Sequence, residues 1–417
     1  MILAITSAGT LLLSIVIFLL IILILVAVLL IARDKLSPKG DVLLKINDRE
    51  LTVAPGSNVL ATLSSNGIYL PSACGGGGTC GMCKCQITEG GGSILPTETG
   101  FFTRKEQQND WRLGCQVKIR EPLTIKLPES ILGIKKWECE VVSNRNVATF
   151  IKEFVVKLPQ GEELNFDPGG YIQIDVPKYE TSFRDFDIED KFRSDWDCYK
   201  MWDLSVKNTS ETFRAYSMAN YPAEKNLIKL NIRIATPPWD NVKKQFLNVP
   251  SGICSSYIFS RKPGDKVVIS GPYGEFHIKK TEIEMVYIGG GAGMAPLRSH
   301  IFHLFHTLRT SRKVSFWYGA RSMREIFYEE EFREIEKEFP NFKFNIALSE
   351  ALPVDNWSGY TGFIHKVLLD NYLSKHDEPE DIEYYFCGPP VMNNAVIKML
   401  DHLGVPAENI AFDDFGI

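Results

Sequence analysis

Ala73-Cys74-Gly75-Gly76-Gly77-Gly78-Thr79-Cys80-Gly81-Met82-Cys83 is the stretch on which the reading of this chain turns. Three cysteines stand at C-x5-C-x2-C spacing, and a fourth, Cys115, follows Cys83 after 31 residues. Sites for a plant-type [2Fe–2S] cluster use C-x4-C-x2-C and a distant fourth cysteine; the first gap here is one residue longer. The interleaved glycines have a physical use. Several backbone N–H groups must turn inward toward a small anionic cluster, and glycine tolerates the positive φ of such a wrap. Cys74, Cys80, Cys83 and Cys115 are therefore the candidate metal ligands. An iron–sulfur site handles one electron at a time and points to electron transfer. A structural zinc site is the first competing reading, but it usually pairs two short C-x2-C knuckles. Disulfides are the second, and they need an exported segment. Cys85, two residues past Cys83, reads as a small apolar residue on the next strand or as a misassigned ligand.

The 417 residues allow two or three domains. A net charge of −5 and the lack of a long basic run give no sign of nucleic-acid binding. Cys139, Cys198, Cys254 and Cys387 are scattered, as reduced thiols would be. No charged residue occurs from Ile2 to Ala32, and Leu11–Ile31 is almost wholly apolar. About 20 such residues span a bilayer, so the segment is expected to be a single transmembrane helix. A signal peptide would have a shorter apolar core, a basic start and a small-residue cleavage site. Arg33, Lys35 and Lys39 follow the span directly, while no Lys or Arg precedes it. The positive-inside rule then places the rest of the chain in the cytoplasm. With no ionisable group in the span, the helix offers an anchor but no ion path.

The expected organisation is multidomain: a membrane anchor over 1–37 and three further domains. Residues 38–129 carry Val42–Ile46 and Glu50–Val53 around an Asn47-Asp48 turn. A short helix over Asn58–Ser65, the cysteine loop, a strand over Cys85–Thr88 and a strand over Leu113–Ile119 follow. This is the order of a β-grasp ferredoxin domain. Residues 130–280 show short β-rich runs separated by Gly and Pro turns, which predicts an antiparallel β-barrel. Within them 178–211 breaks the rhythm, mixing charges with Tyr179, Phe183, Phe186, Phe192, Trp196, Tyr199 and Trp202. It reads either as a helical surface decoration or as an aromatic docking surface for a partner subunit. Residues 281–417 alternate strands and helices, which predicts an α/β doubly wound nucleotide-binding domain.

Arg214-Ala215-Tyr216-Ser217 lies on a β-like run. A guanidinium suits a pyrophosphate, a phenol ring stacks on an isoalloxazine, and a hydroxyl bonds a flavin ring nitrogen. Gly252-Ile253-Cys254-Ser255-Ser256-Tyr257 offers N–H groups and hydroxyls at a helix start. Ile288-Gly289-Gly290-Gly291-Ala292-Gly293-Met294 is strand, glycine turn, helix, and suits a dinucleotide pyrophosphate without matching G-x-G-x-x-G closely. Arg321 and Cys387-Gly388-Pro389-Pro390 also follow strands, where open α/β sheets bind ligands. Phe415, near the end of the chain, would stack on a flavin or pack in the core.

Taken in this order, the motifs resemble the ferredoxin–NAD(P)+ reductase superfamily with a plant-type ferredoxin domain in front. With the N-terminal helix, the aromatic insertion and the Asp413-Asp414-Phe415-Gly416 tail, the chain is similar to the family of F subunits of bacterial sodium-pumping NADH:quinone reductases. The resemblance implies that Cys74, Cys80, Cys83 and Cys115 hold a [2Fe–2S] cluster. It implies that Arg214, Tyr216, Ser217, Gly252, Cys254 and Ser255 hold FAD, and that Gly290, Gly291, Gly293, Cys387 and Gly388 form the NADH site, with Arg321 beside it as a base open to a 2′-phosphate. Phe415 would cover the flavin, and Ser217, Cys387 and Phe415 would stand at the hydride step. FAD over FMN and NADH over NADPH follow from the resemblance alone. The implied activity is NADH oxidation by hydride transfer to FAD, then single-electron transfer through the cluster to partner membrane subunits and ubiquinone. The implied place is the bacterial inner membrane. A membrane-anchored reductase of a multicomponent oxygenase is a second reading, and a membrane ferredoxin with a regulatory nucleotide-binding half is a third.

Overall fold

The uncharged N-terminal segment can satisfy its backbone only within itself when no polar surroundings are offered. In the computed structural model it is one helix, Ile2–Leu36. Leu12–Ala32 within it is long and apolar enough to cross a membrane, and its side chains are exposed, consistent with an anchor. The structure describes residues 2–36, 40–240 and 242–414. Lys39, Phe415 and the side chains of Arg33 and Lys35 lie outside the described residues. The chain divides into two units: residues 1–70 with 83–129, and residues 71–82 with 130–417.

In the smaller unit, Val42–Ile46 pairs antiparallel with Arg49–Val53, as the Asn47-Asp48 turn predicts, with Asn47 at φ 49°. Val42–Ile46 also pairs parallel with Leu123–Lys126, which joins Lys84–Glu89 and then Trp111–Leu113. A parallel first-to-last pairing needs a crossover, and Val59–Ser65 supplies its helix. Asn58 caps that helix, its side chain accepting from Ala61 N at 2.8 Å. Leu44, Ile46, Ile87 and Ile125 of the strands are buried, as is Leu63 of the helix. This is the expected β-grasp arrangement. One element differs. The strand stops at Leu113, and Cys115 sits in the turn that follows. Cys115, Val117 and Ile119 are buried alternately as in a strand. Their backbone bonds go instead to the helix start: Val59 N donates to Val117 O at 2.9 Å and Ile119 N to Ser57 O at 2.9 Å.

In the larger unit six antiparallel strands run in the order Thr212–Ser217, Tyr171–Val176, Lys266–Tyr273, Lys135–Ala148, Ile151–Lys157 and Leu227–Arg233. The expected barrel is a sheet whose edges meet at a single place. Met218 bridges Leu230, and Ala219 N donates to Lys229 O at 2.7 Å, with no ladder among the described residues closing the rest. The 178–211 segment adds a hairpin, Tyr179–Ser182 with Ser205–Asn208, and a helix, Asp190–Cys198. Four of its seven large aromatics are core residues, while Tyr179, Tyr199 and Trp202 are half-buried. Phe183, Phe186, Phe192 and Trp196 are buried in the same core as the sheet. Trp196 Nε1 donates to Thr149 O at 2.9 Å, and Lys152 Nζ donates to Asp187 O at 2.6 Å. Apolar area outweighs the segment's charge count because each ring removes a large area from water.

The remaining strands form a parallel sheet in the order Tyr360–Thr361, Phe342–Leu348, Val314–Ala320, Met285–Gly290, Glu383–Cys387 and Ile410–Asp413. Chain order runs outward from Met285–Gly290 on one side and resumes with Glu383–Cys387 on the other. The crevice at the C-terminal ends of these two strands is thus the topological switch point. The helix after the glycine turn, Met294–Phe302, carries Arg298, whose buried guanidinium donates to Ala219 O at 2.8 Å, Glu224 at 2.9 Å and Glu331 at 2.6 Å. It ties the parallel sheet's first helix to the antiparallel half.

Candidate functional site

Arg214, Tyr216 and Ser217 lie on the edge strand Thr212–Ser217, paired with Tyr171–Val176 in the register Ser217 opposite Tyr171. Arg214 Nη1 donates to Phe213 O at 2.8 Å and Thr212 Oγ1 at 3.2 Å, which holds the guanidinium close to its own strand. Burial keeps the Tyr216 phenol well above its ordinary range. Gly252 caps Ile253–Phe259, as expected. A Cβ there would stand 2.5 Å from Ala235 Cβ, so only glycine lets the two backbones approach. Ser255 Oγ accepts from Ala235 N at 3.1 Å, which commits its lone pair to the protein. Cys254 is buried, and burial pushes its thiol up to about 11.

Both nucleotide turns stand at the switch point. A Cβ on Gly293 would lie 2.1 Å from Cys387 O and 2.7 Å from Gly388 N, so the first turn rests on the backbone of the second. Gly290 faces Pro389 and Met392, and Gly291 takes φ 57°. Arg321 follows Val314–Ala320 and stands 3.8 Å from Glu325. Cys387 ends its strand buried, and burial, then Asp413 and Asp414, raise its thiol well above the ordinary range.

The residue missed in the sequence is Asp413. It pairs in register with Cys387 across parallel strands. Ser217 Oγ donates to Asp413 Oδ2 at 2.6 Å. The flavin-motif serine thus bonds the carboxylate of a residue that stands in register with the nucleotide-turn cysteine. The only signal was the repeated acid of the tail. Burial pushes Asp413 up to about 6, against the pull of the Ser217 hydroxyl. Its folded value lies above that of a free aspartate, so the folded chain keeps this proton longer than the unfolded one. The ionised form therefore costs stability, growing between about pH 4 and 6 and full above that. Asp413→Asn is expected to stabilise the chain by ~1 kcal/mol more at pH 8 than at pH 5, read as thermal midpoints at both values. An equal gain at both pH values contradicts this.

The cysteines stand as two pairs. In the larger unit Cys74 Sγ and Cys80 Sγ lie 3.3 Å apart. The Cys80 thiol, with N–H groups of Thr79, Cys80 and Gly76, holds Cys74 down at about 3, and Cys80 is raised in return. In the smaller unit Cys83 is raised by Cys115. Among the described residues no three His, Cys, Asp or Glu side chains form a group for one metal ion. A dinuclear cluster takes two thiolates on each iron, and each unit supplies one thiol pair. The donor chemistry fits the cluster. Cys85 is buried on Lys84–Glu89, its thiol pushed up to about 12 by burial and directed to Arg112 O at 3.8 Å. It is a core residue of that strand.

Three family models match. One described as "2Fe-2S iron-sulfur cluster binding domain" covers residues 44–120, "Oxidoreductase FAD-binding domain" covers 199–278, and "Oxidoreductase NAD-binding domain" covers 287–398. The F subunit of the Na(+)-translocating NADH-quinone reductase of Klebsiella pneumoniae is 55% identical over 407 residues, 97% of this chain and 99% of that one. Its namesake from Neisseria gonorrhoeae is 53% identical over 405 residues, again 97% and 99%. Among solved structures, an Amycolatopsis cytochrome P450 reductase shares the fold at TM-score 0.62 and 22% identity, over 90% of this chain and 98% of that one. A ferredoxin reductase in carbazole 1,9a-dioxygenase matches at TM-score 0.57 and 25% identity over 90% of this chain and 98% of that one.

Proposed function

The chain belongs to the family of F subunits of the Na(+)-translocating NADH-quinone reductases, and from that premise we propose that it is the electron-input component of a membrane NADH:quinone reductase. The observation that carries the reading is the hydrogen bond from Ser217 to Asp413, whose strand neighbour in register is Cys387. It joins the end of the flavin motif to the end of the nucleotide turn at the switch point, where a dinucleotide binds in such sheets.

Arg214, Tyr216, Ser217, Gly252, Cys254 and Ser255 hold FAD. Gly290, Gly291, Gly293, Arg321, Cys387 and Gly388 hold NADH. Cys74, Cys80, Cys83 and Cys115 hold the [2Fe–2S] cluster, the two pairs tethered by Gly81-Met82. When bound, these groups supply hydride acceptance and one-electron transfer. The protein's own part is positioning. Ser217 Oγ–H donates its hydrogen bond to Asp413 while that acid is ionised, which would leave the Oγ lone pairs to accept from a bound flavin. Once Asp413 is protonated it donates to Ser217, and the hydroxyl is free to donate instead. Gly293 and Gly388 let two backbone turns close on the nucleotide. Cys387, neutral and buried, orients the nicotinamide and is no nucleophile.

The division of labour follows residues 38–129 for the cluster, 130–280 for FAD and 281–417 for NADH. The Ile2–Leu36 helix anchors the chain once in the bacterial inner membrane, soluble parts in the cytoplasm. Electrons leave to partner membrane subunits and reach ubiquinone through them. Sodium movement belongs to those partners, since the span carries no charge. Full-length chain purified in detergent should show flavin absorption, a reduced-cluster EPR signal and NADH-driven ferricyanide reduction. Absence of that reduction in flavin-loaded protein sinks the enzyme reading.

A further inference from the structure

We propose that His300 is a positioning residue for the hydride step, its imidazole fixing the flavin-motif strands against the helix that starts at the nucleotide turn. The inference rests on the flavin and NADH reading above.

Helix Met294–Phe302 follows Gly293, the residue closed on Cys387 O. Two of its buried side chains, Arg298 and His300, reach the antiparallel half. Arg298 donates to Ala219 O, two residues past Ser217. His300 Nε2 stands 2.9 Å from Phe276 O and 3.1 Å from Pro168 O. A carbonyl only accepts, so Nε2 carries the hydrogen and shares it between the two. The ring sits two helical turns beyond Gly293, roughly 10 Å along the axis.

The turn that His300 holds leads straight into the flavin strands. Gly169 takes φ 87°, and a Cβ there would stand 2.3 Å from His300 Nε2 and 2.0 Å from Phe276 O. Only glycine lets this turn close on the imidazole. Gly170 O, one residue on, accepts from Met218 N at 3.0 Å. Tyr171 then pairs with Ser217. Arg298 thus grips the end of one strand and His300 the start of its partner, on either side of the bond from Met218 to Gly170.

The imidazole is more than core filling. Phe276 stacks on it with centroids 4.6 Å apart, and its Nδ1 has no hydrogen-bond partner among the described residues. A polar atom left unbonded in a core costs stability that an apolar side chain would not. What the ring supplies is direction, because a hydrogen bond fixes distance and angle where apolar contact does not. Burial holds the ring down at about 4, so it is neutral near pH 7 and brings no charge to the flavin side.

His300→Leu in full-length, FAD-loaded protein tests this by rapid mixing with NADH and with NADH deuterated at the nicotinamide C4. At saturating NADH, flavin reduction is expected to slow by ~100-fold, the effect of a ~1 Å displacement, and to carry a primary isotope effect. The NADH concentration for half-maximal rate should stay within about twofold, since the loss falls on the reacting geometry and not on binding. His300→Gln, whose amide N–H reaches where Nε2 stood, should recover most of the rate. Leu304→Ala, buried four residues on, should lower the thermal midpoint and leave the rate in place. An unmoved rate in His300→Leu, an equal slowing in Leu304→Ala, or no recovery in His300→Gln overturns the proposal. If His300→Leu does not fold, His300→Asn replaces it, because its shorter amide reaches only the Nδ1 position. A slow Asn variant beside a fast Gln variant then supports the two bonds, and equal rates overturn them. A native chain that NADH does not reduce at all would sink the functional reading itself; native reduction with an unmoved rate in His300→Leu sinks only this inference.

Discussion

Cys80→Ala abolishes the reduced-cluster EPR signal and onward electron transfer, while NADH-to-flavin reduction stays within about twofold, under ~0.5 kcal/mol of barrier. The first loss follows from pairing. Cys74 and Cys80 face each other at 3.3 Å, and removing one leaves an iron with a single protein thiolate from that pair. The retained step follows from placement. Cys80 lies in the loop 71–82, whereas the groups for the hydride step lie on Thr212–Ser217, Glu383–Cys387 and Ile410–Asp413. The loop meets the flavin strand at Gly75, where an added Cβ would stand 2.8 Å from Phe213 O. Rapid mixing with NADH, followed at a flavin wavelength and by freeze-quench EPR, separates the two steps. Cys85→Ala is the companion variant. Its thiol is buried in the core and points to Arg112 O, so the EPR signal should persist. Persistence of the signal in Cys80→Ala, or its loss in Cys85→Ala, means the ligand set is misassigned.

Gly293→Ala slows NADH-driven flavin reduction by ~100-fold and leaves FAD content unchanged. The new methyl would enter the Cys387 carbonyl at 2.1 Å and the Gly388 amide at 2.7 Å. These are backbone atoms, so neither can swing aside as a side chain would. Overpacking of this kind costs about 1–3 kcal/mol in stability. The larger effect is on geometry, because a ~1 Å misplacement of reacting groups can cost ~100-fold in rate. Gly100→Ala is the control, since nothing stands within 4 Å of its added carbon and its φ is ordinary. A Gly293→Ala protein with native NADH kinetics would show that the two turns do not share the nucleotide. Loss of FAD instead would place Gly293 in the flavin half.

Much of this was legible locally. The hairpin over Val42–Val53, the short helix ending at Ser65 and the buried strand from Met285 are set by neighbours in the chain, and each forms as its residues predict. Leu113–Ile119 was not, because alternating burial continues after the strand while its hydrogen bonds turn to Ser57 and Val59. The aromatics of 178–211 were ambiguous for a related reason. Composition shows that rings are present, but only the surrounding sheet shows that Phe183 and Trp196 have a core to enter.

The spacing of Cys74, Cys80, Cys83 and Cys115, the uncharged first helix, and the order of the flavin and nucleotide motifs were all determined by the sequence alone. They are short-range patterns, and each carries its chemistry in residue type and interval. What only the tertiary structure decided is that Ser217 donates to an acid 196 residues further on. That contact depends on the register of Cys387 with Asp413 and on the antiparallel half meeting the switch point of the parallel one. Register is set by how whole strands bury their faces, so no single stretch of the chain contains it.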